Sequence, residues 1–173
     1  MKSDILMTSE YVFARTRQRL EGLTDDELFW EPVADCWSVR LAEDGTHRAD
    51  GRAPNGDGPF TTIAWRLWHL TSCYGSERNA AWLGVTRPGG GFEQDDPVPA
   101  SATPALAALE DAHRYWHEVL DALPADAWSE PLGAIAGPYG EASKASFVLH
   151  QLDEQIHHGA ELGVVRDLYR SMP

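Results

Sequence analysis

Residues 150–170 read HQLDEQIHHGAELGVVRDLYR, and they set His150, Glu154 and His158 at intervals of four. On a helix, that interval stacks side chains along one stripe. Imidazole and carboxylate groups are ligands that zinc, nickel and iron accept. One helix cannot close such a site alone. A second segment, TTIAWRLWHLTSCYG at residues 61–75, carries His69 in a mostly apolar run. If the two segments face each other, the chain is a metal-binding helical bundle. Each feature also has a plainer reading. The stripe on the last helix could simply be solvated, and His69 could be a core histidine bonded to a backbone carbonyl. Together they favour the metal reading, because bundle sites are built from side chains on facing helices. A set of His69, Glu154 and His158 leaves a fourth position open, as catalytic zinc sites do. Periodicity leaves the register open. Asp153 and His157 are also four apart, and neighbouring residues on a helix differ by about 100°.

Working outward, the remaining segments also read as helices. Residues 3–22 carry a loose apolar face of Ile5, Val12, Ala14 and Leu20, continued by Leu23. Thr24 and Glu27 have the spacing of a capping box, which predicts a short helix stopped by Pro32. CWSVR follows, and then LAEDGTHRADGRAPNGDGP at residues 41–59, whose composition predicts a loop. Thr61 or Thr62 is expected to cap a second long helix that runs to Leu83 and closes at Gly84. Residues 85–102, with RPGGG and DDPVPAS, form another loop. Thr103 is expected to cap a third helix with Pro104 at its first position. That helix shows Leu106, Leu109, Ala112/His113, Trp116 and Leu120 at helical spacing and ends at Pro124. The last helix is expected over residues 142–169. With no convincing strand pattern, the prediction is an all-α four-helix bundle forming one domain over residues 1–173. Its long loops follow the first helical region and separate helices two and three, which allows a crossover topology.

Composition excludes several partners. The chain has 173 residues, with 27 acidic against 14 basic and a formal charge of −13. Nucleic acid and anionic membranes both need a basic surface. Cys36 and Cys73 form no zinc-finger spacing. The N-terminus lacks a basic region followed by an apolar core, and no run of about 18 apolar residues exists. A cytoplasmic protein with reduced thiols is therefore expected. Self-association as a homodimer is expected only from the general frequency of such pairs.

The stretches DEQIHHGAELGVVRDLYR, TTIAWRLWHL and GLTDDELFWEPVADCWSVR resemble the DinB-like superfamily. They look closest to an actinobacterial branch related to mycothiol-dependent maleylpyruvate isomerases, and the resemblance covers nearly the whole chain. It implies a four-helix bundle holding a divalent metal, zinc or nickel, through three side chains. Many members use three histidines. The isomerase-like members use His, Glu, His, which correspond here to His69, Glu154 and His158. On those grounds the register favours Glu154 and His158 over Asp153 and His157. The isomerases also carry a further C-terminal domain, whereas this chain ends at Pro173, soon after the last predicted helix. The resemblance is therefore expected to carry the metal bundle further than the isomerase activity.

Neighbouring residues complete the expectations. Cys73, four after His69, is either a fourth ligand or a small buried residue. His150 is an outer ligand, a proton carrier, a partner orienting Glu154, or a solvated side chain. Arg166 and Arg170 either bind a substrate carboxylate or pair with surface acids. His113 and His117 offer a second pair four apart, although Trp116 beside them suggests an ordinary bundle face. A small-molecule substrate is expected. The metal would make either a water or a low-molecular-weight thiol reactive. The first gives a hydrolase and the second a thiol transferase or isomerase. A non-catalytic metal-binding or stress-related bundle is the alternative.

Overall fold

The computed structural model of the chain describes residues 2–51, 60–86, 88–89, 91–92 and 96–172. Part of each predicted loop, residues 52–59 and positions 87, 90 and 93–95, lies outside the described residues. In chain order the elements are α1 (Lys2–Arg19), α2 (Asp25–Phe29), strands β1 (Val39–Leu41) and β2 (His47–Ala49), α3 (Ile63–Gly75), α4 (Arg78–Leu83), α5 (Ala102–Ala122) and α6 (Lys144–Arg170). The helices α1, α3, α5 and α6 form the expected all-α bundle. α3 lies against both α5 and α6, and α6 also packs on α1. The core between them is aliphatic and aromatic, with Leu20, Leu67, Leu70, Leu109, Trp116 and Leu120 fully buried. Burying each such side chain contributes roughly 1.5–3 kcal/mol. No helix among the described residues is long and apolar enough to cross a membrane.

Helix starts follow local chemistry closely. Thr24 accepts from the Glu27 amide, and the Glu27 carboxylate accepts in return from the Thr24 amide, so the capping box forms. Thr62 caps α3 by accepting from the Trp65 amide, and Ser143 caps α6 in the same way through Ser146. The third long helix departs from expectation. Its N-cap is Ser101, not Thr103, and the Asp25 carboxylate binds the amide of Ala102 at 2.7 Å. A carboxylate on another helix thus satisfies a first-turn donor, and local sequence does not show such a partner.

Two further departures have clear causes. The helix expected over residues 62–83 breaks after Gly75. Ser76 is extended, and the Asn79 side-chain amide donates to the carbonyls of Cys73 and Tyr74 at 2.7 and 3.0 Å. Those bonds satisfy acceptors that a continuous helix would have used. Gly75 also packs tightly, since a Cβ there would sit 2.8 Å from Phe92 Cβ. The polar loop and the CWSVR segment before it, expected to lack strands, form the β1–β2 hairpin, with Arg40 opposite Arg48. Gly45 provides the positive φ of its turn, and Asp44 accepts from the Thr46 amide and hydroxyl. The Asp-Gly pair at residues 44–45 is a hairpin signal that the surrounding polarity obscured.

Contacts along its length hold the long helix α6. Gly159 lets α1 approach so closely that a Cβ would lie 2.5 Å from Thr16 Oγ1. Gln155 exchanges hydrogen bonds with Ser9, accepting from its hydroxyl at 3.0 Å and donating to its carbonyl at 3.2 Å. At the far end, Arg166 is 1% exposed and forms a fork with Glu27: Nε donates to Oε1 at 3.0 Å and Nη2 to Oε2 at 3.2 Å. Arg166 also donates to the Arg19 carbonyl, and Arg170 donates to Glu27. Arg166 therefore answers neither expectation. It faces no metal cluster and no surface acid, because Glu27 is buried with it.

Burial raises the Glu27 pKa, but the Arg166 fork, the Thr24 amide and Arg170 outweigh it, and the carboxyl stays below its ordinary range. A depressed folded pKa gives stability that is present above the unfolded carboxyl pKa and is lost as pH falls through the folded one. Glu27→Gln leaves a buried guanidinium without its charge partner and is expected to cost about 3–5 kcal/mol at pH 7. In urea melts the gap between the variant and the parent should narrow below about pH 4. An equal gap at pH 7 and pH 3 would rule out this ion pair as its source.

Candidate metal centre

α3 and α6 bring His69, Glu154 and His158 together. Glu154 Oε2 lies 3.1 Å from His69 Nε2 and 3.1 Å from His158 Nε2. The two imidazoles meet edge to face with centroids 4.6 Å apart, and one donor atom from each of the three residues lies within 4.8 Å of the others. All three side chains are partly buried. On the neighbouring stripe, His157 is 59% exposed and points at Glu161, and Asp153 is exposed. The face that meets α3 is therefore the one carrying Glu154 and His158.

The donor set fits a divalent transition metal. Metal–donor bonds of about 2.0–2.2 Å in a tetrahedron place donor atoms roughly 3.3–3.6 Å apart. The two 3.1 Å separations need little adjustment to match. The proton inventory points the same way. His158 Nδ1 lies 2.6 Å from Glu161 Oε2, close enough to donate a charge-assisted hydrogen bond. A neutral His158 that donates there turns a bare Nε2 toward Glu154 Oε2. That arrangement needs a cation between the two acceptors, a metal ion or a proton; with Arg66 Nη1, 3.3 Å from Nδ1, donating to that nitrogen instead, Nε2 carries the proton it gives to Glu154.

Charge around the cluster is arranged to match. Burial lowers the His158 pKa, and the nearby charges of His69 and Arg66 act in the same direction against Glu154. Burial also opposes a charge on His69, but hydrogen bonds to Cys73 and Glu154 outweigh it and push that imidazole up to about 10. His158 and His69, both hydrogen-bonded to Glu154, hold its carboxyl far below its usual range. The carboxylate is thus ready to coordinate, whereas an ion must displace the proton shared by His69.

Surrounding residues fix the orientation of these three. Arg66 Nη1 pairs with Glu161, which in turn receives His158 Nδ1, so an Arg66–Glu161–His158 chain aims Nε2 into the cluster. Burial brings Arg66 down to about 10. Trp65 stacks nearly parallel on His69 with centroids 5.2 Å apart, and its indole donates to the Asp50 carbonyl beside β2. The hairpin thereby braces the wall behind His69. Sequence reasoning did not single out Glu161 or Arg66. Glu161 is visible in retrospect as a carboxylate three residues after His158, whereas Arg66 needed the α3–α6 packing.

The remaining candidates take other places. Cys73 Sγ lies 3.6 Å from His69 Nε2 and is only partly buried, and it is not among the mutually close donors of the described residues. His150 is exposed, with Nε2 3.7 Å from Glu154 Oε1, just outside hydrogen-bonding range. It lines a cavity of about 390 Å³ with Arg78, Trp82, Leu132, Tyr139 and Phe147. The Arg78 guanidinium sits 4.8 Å from the Trp82 ring centroid. An aromatic cavity with a cation at its edge therefore opens one helical turn from Glu154.

No curated protein and no solved structure matches the chain. A sequence model of the DinB superfamily matches residues 10–162, a span that runs from the middle of α1 through most of α6 and holds all three residues of the cluster. By its sequence and its helical architecture, the chain belongs to the DinB superfamily.

Proposed function

We propose that the protein is a divalent-metal-dependent enzyme that uses a low-molecular-weight thiol, of the mycothiol type, to transfer sulfur to a small electrophile or to isomerise it. The observation that carries this reading is the convergence of His69 Nε2, Glu154 Oε2 and His158 Nε2 from two helices, with donor separations that suit one ion. Zinc or nickel is the metal that this donor set and the family favour. When bound, such an ion supplies the positive charge that brings the pKa of a coordinated thiol below neutral. Two imidazoles and one carboxylate leave a net positive charge, which favours an anionic sulfur over a neutral one.

The chain's own groups supply the rest. The Glu161 carboxylate holds the Nδ1 proton of His158 and keeps Nε2 free, and Trp65 keeps the His69 ring in place. His150, at the cavity edge beside Glu154, is positioned to accept the thiol proton and return it to the product. Trp82 and Phe147 offer flat apolar walls, and Arg78 offers a partner for an anionic group. A small electrophile with an apolar body and a carboxylate suits that combination. The likeness of the three-residue set to the isomerase-type members supports the thiol over water as nucleophile.

Two measurements test this reading. Elemental analysis of protein purified without added metal should give bound zinc or nickel. His158→Ala should lose one equivalent of it, while His157→Ala and Cys73→Ala should retain the full amount. Loss in His157→Ala and retention in His158→Ala would reverse the register. Turnover of maleyl-type or chlorinated electrophiles should require a thiol and fall by about 10²-fold or more in His150→Ala if that imidazole carries the proton. Ester or amide cleavage without any thiol would assign a hydrolase instead. Metal retention without turnover of either kind would make the bundle a metal-binding module.

A further inference from the structure

The pair His113 and His117 lies on α5, outside the cluster described above, and faces α1. One donor atom from each of Glu10, His113 and His117 lies within 4.8 Å of the others. His113 is 5% exposed, stacked on Phe13 with centroids 3.6 Å apart and nearly parallel planes, and met edge-on by Tyr74. Its Nε2 is buried and finds no hydrogen-bond partner among the described residues. Leaving such an atom unsatisfied is costly, and a histidine that only filled the core would be better replaced by an aromatic ring.

His117 adds a second anomaly. The Ser9 hydroxyl donates to Gln155 Oε1 at 3.0 Å, and the orientation of that amide is fixed because its Nε2 donates to the Ser9 carbonyl. Ser9 Oγ, having spent its proton, can only accept from His117 Nε2, which lies 3.3 Å away. A neutral His117 therefore presents a bare Nδ1 to Glu10 Oε1 at 3.1 Å. As at the first cluster, two acceptors face each other and need a cation between them. Burial favours the neutral form of both rings, bringing His113 down to about 3 and lowering His117 against the pull of Glu10 and Asp121.

We propose that Glu10, His113 and His117 form a second transition-metal site, of zinc type, which joins α1 to α5 and is separate from the His69 cluster. Two imidazoles and a carboxylate exclude calcium and magnesium, which take oxygen ligands. Glu10 is 61% exposed, so it can swing toward the buried His113 and close the site from solvent. The adjacent residues Glu154 and Gln155 divide α6 between the two places. Glu154 faces His69, and Gln155 holds Ser9 against His117. An ion here would link two helices in the folded state only and so stabilise the bundle.

Zinc titration of the full chain against a chromophoric chelator tests this directly, with circular dichroism to confirm folding. The parent should bind two equivalents, His158→Ala one, and the double variant His158→Ala/His117→Ala none. In the His158→Ala background, zinc should raise Tm, and Glu10→Gln, an exposed and structurally mild change, should weaken the remaining equivalent by at least about tenfold. If a folded His158→Ala protein binds no zinc, or if neither His117→Ala nor Glu10→Gln affects the remaining equivalent, the second site does not exist. If the parent binds one equivalent that His117→Ala removes and His158→Ala does not, the second site stands and the first reading fails.

Discussion

The rotation of α6 about its own axis is the constraint on which the site depends. A turn of about 100° would replace Glu154 and His158 by Asp153 and His157 on the face toward α3. Three contacts prevent it. The Arg166–Glu27 fork fixes the C-terminal half, and the Gln155–Ser9 exchange and the absence of a side chain at Gly159 fix the middle. Glu27 is the most heavily used of these groups, because it accepts from Thr24, Arg166 and Arg170 at once. A buried pair of this kind adds little net stability over an apolar replacement, but it strongly penalises arrangements that separate its partners. Its contribution is to the direction of α6, and through that to which ligands meet.

The two histidine clusters share one physical pattern. In each, a second partner occupies one ring nitrogen: Glu161 for His158, and Ser9 for His117. The other nitrogen then faces a carboxylate at hydrogen-bonding distance. Where that nitrogen carries no proton of its own, a cation must bridge it to the carboxylate. The clusters differ in surroundings. The first lies beside a buried guanidinium and one helical turn from an aromatic cavity that His150 lines, which suits exchange with a small molecule. The second packs on Phe13 and Tyr74, which suits a structural ion.

Much of this was legible in residue spacing. The capping box at Thr24, the cap at Thr62 and the interval of four between Glu154 and His158 are local features, and local rules read them. The features that escaped are long-range. Asp25 caps a helix that begins 77 residues later, and Arg166 finds its carboxylate 139 residues away. Neither partner can be chosen by periodicity, and an arginine on a helix in an acidic chain naturally reads as a surface pair. The break at Ser76 arises from Asn79 reaching back to two carbonyls and from Phe92 packing on Gly75, so it too depends on tertiary contact. The role of Glu161 falls between these cases, since its spacing from His158 is local but its charge partner Arg66 lies on another helix.

The central claim is that imidazole nitrogen and carboxylate oxygen, without sulfur, hold the ion. X-ray absorption at the metal edge of the protein as isolated tests it most directly. The account predicts a first shell of nitrogen and oxygen at about 2.0–2.2 Å with the outer scattering of imidazole rings. A sulfur shell at about 2.3 Å would bring Cys73 into the site and contradict the three-residue set, and the absence of any bound metal would contradict the account as a whole.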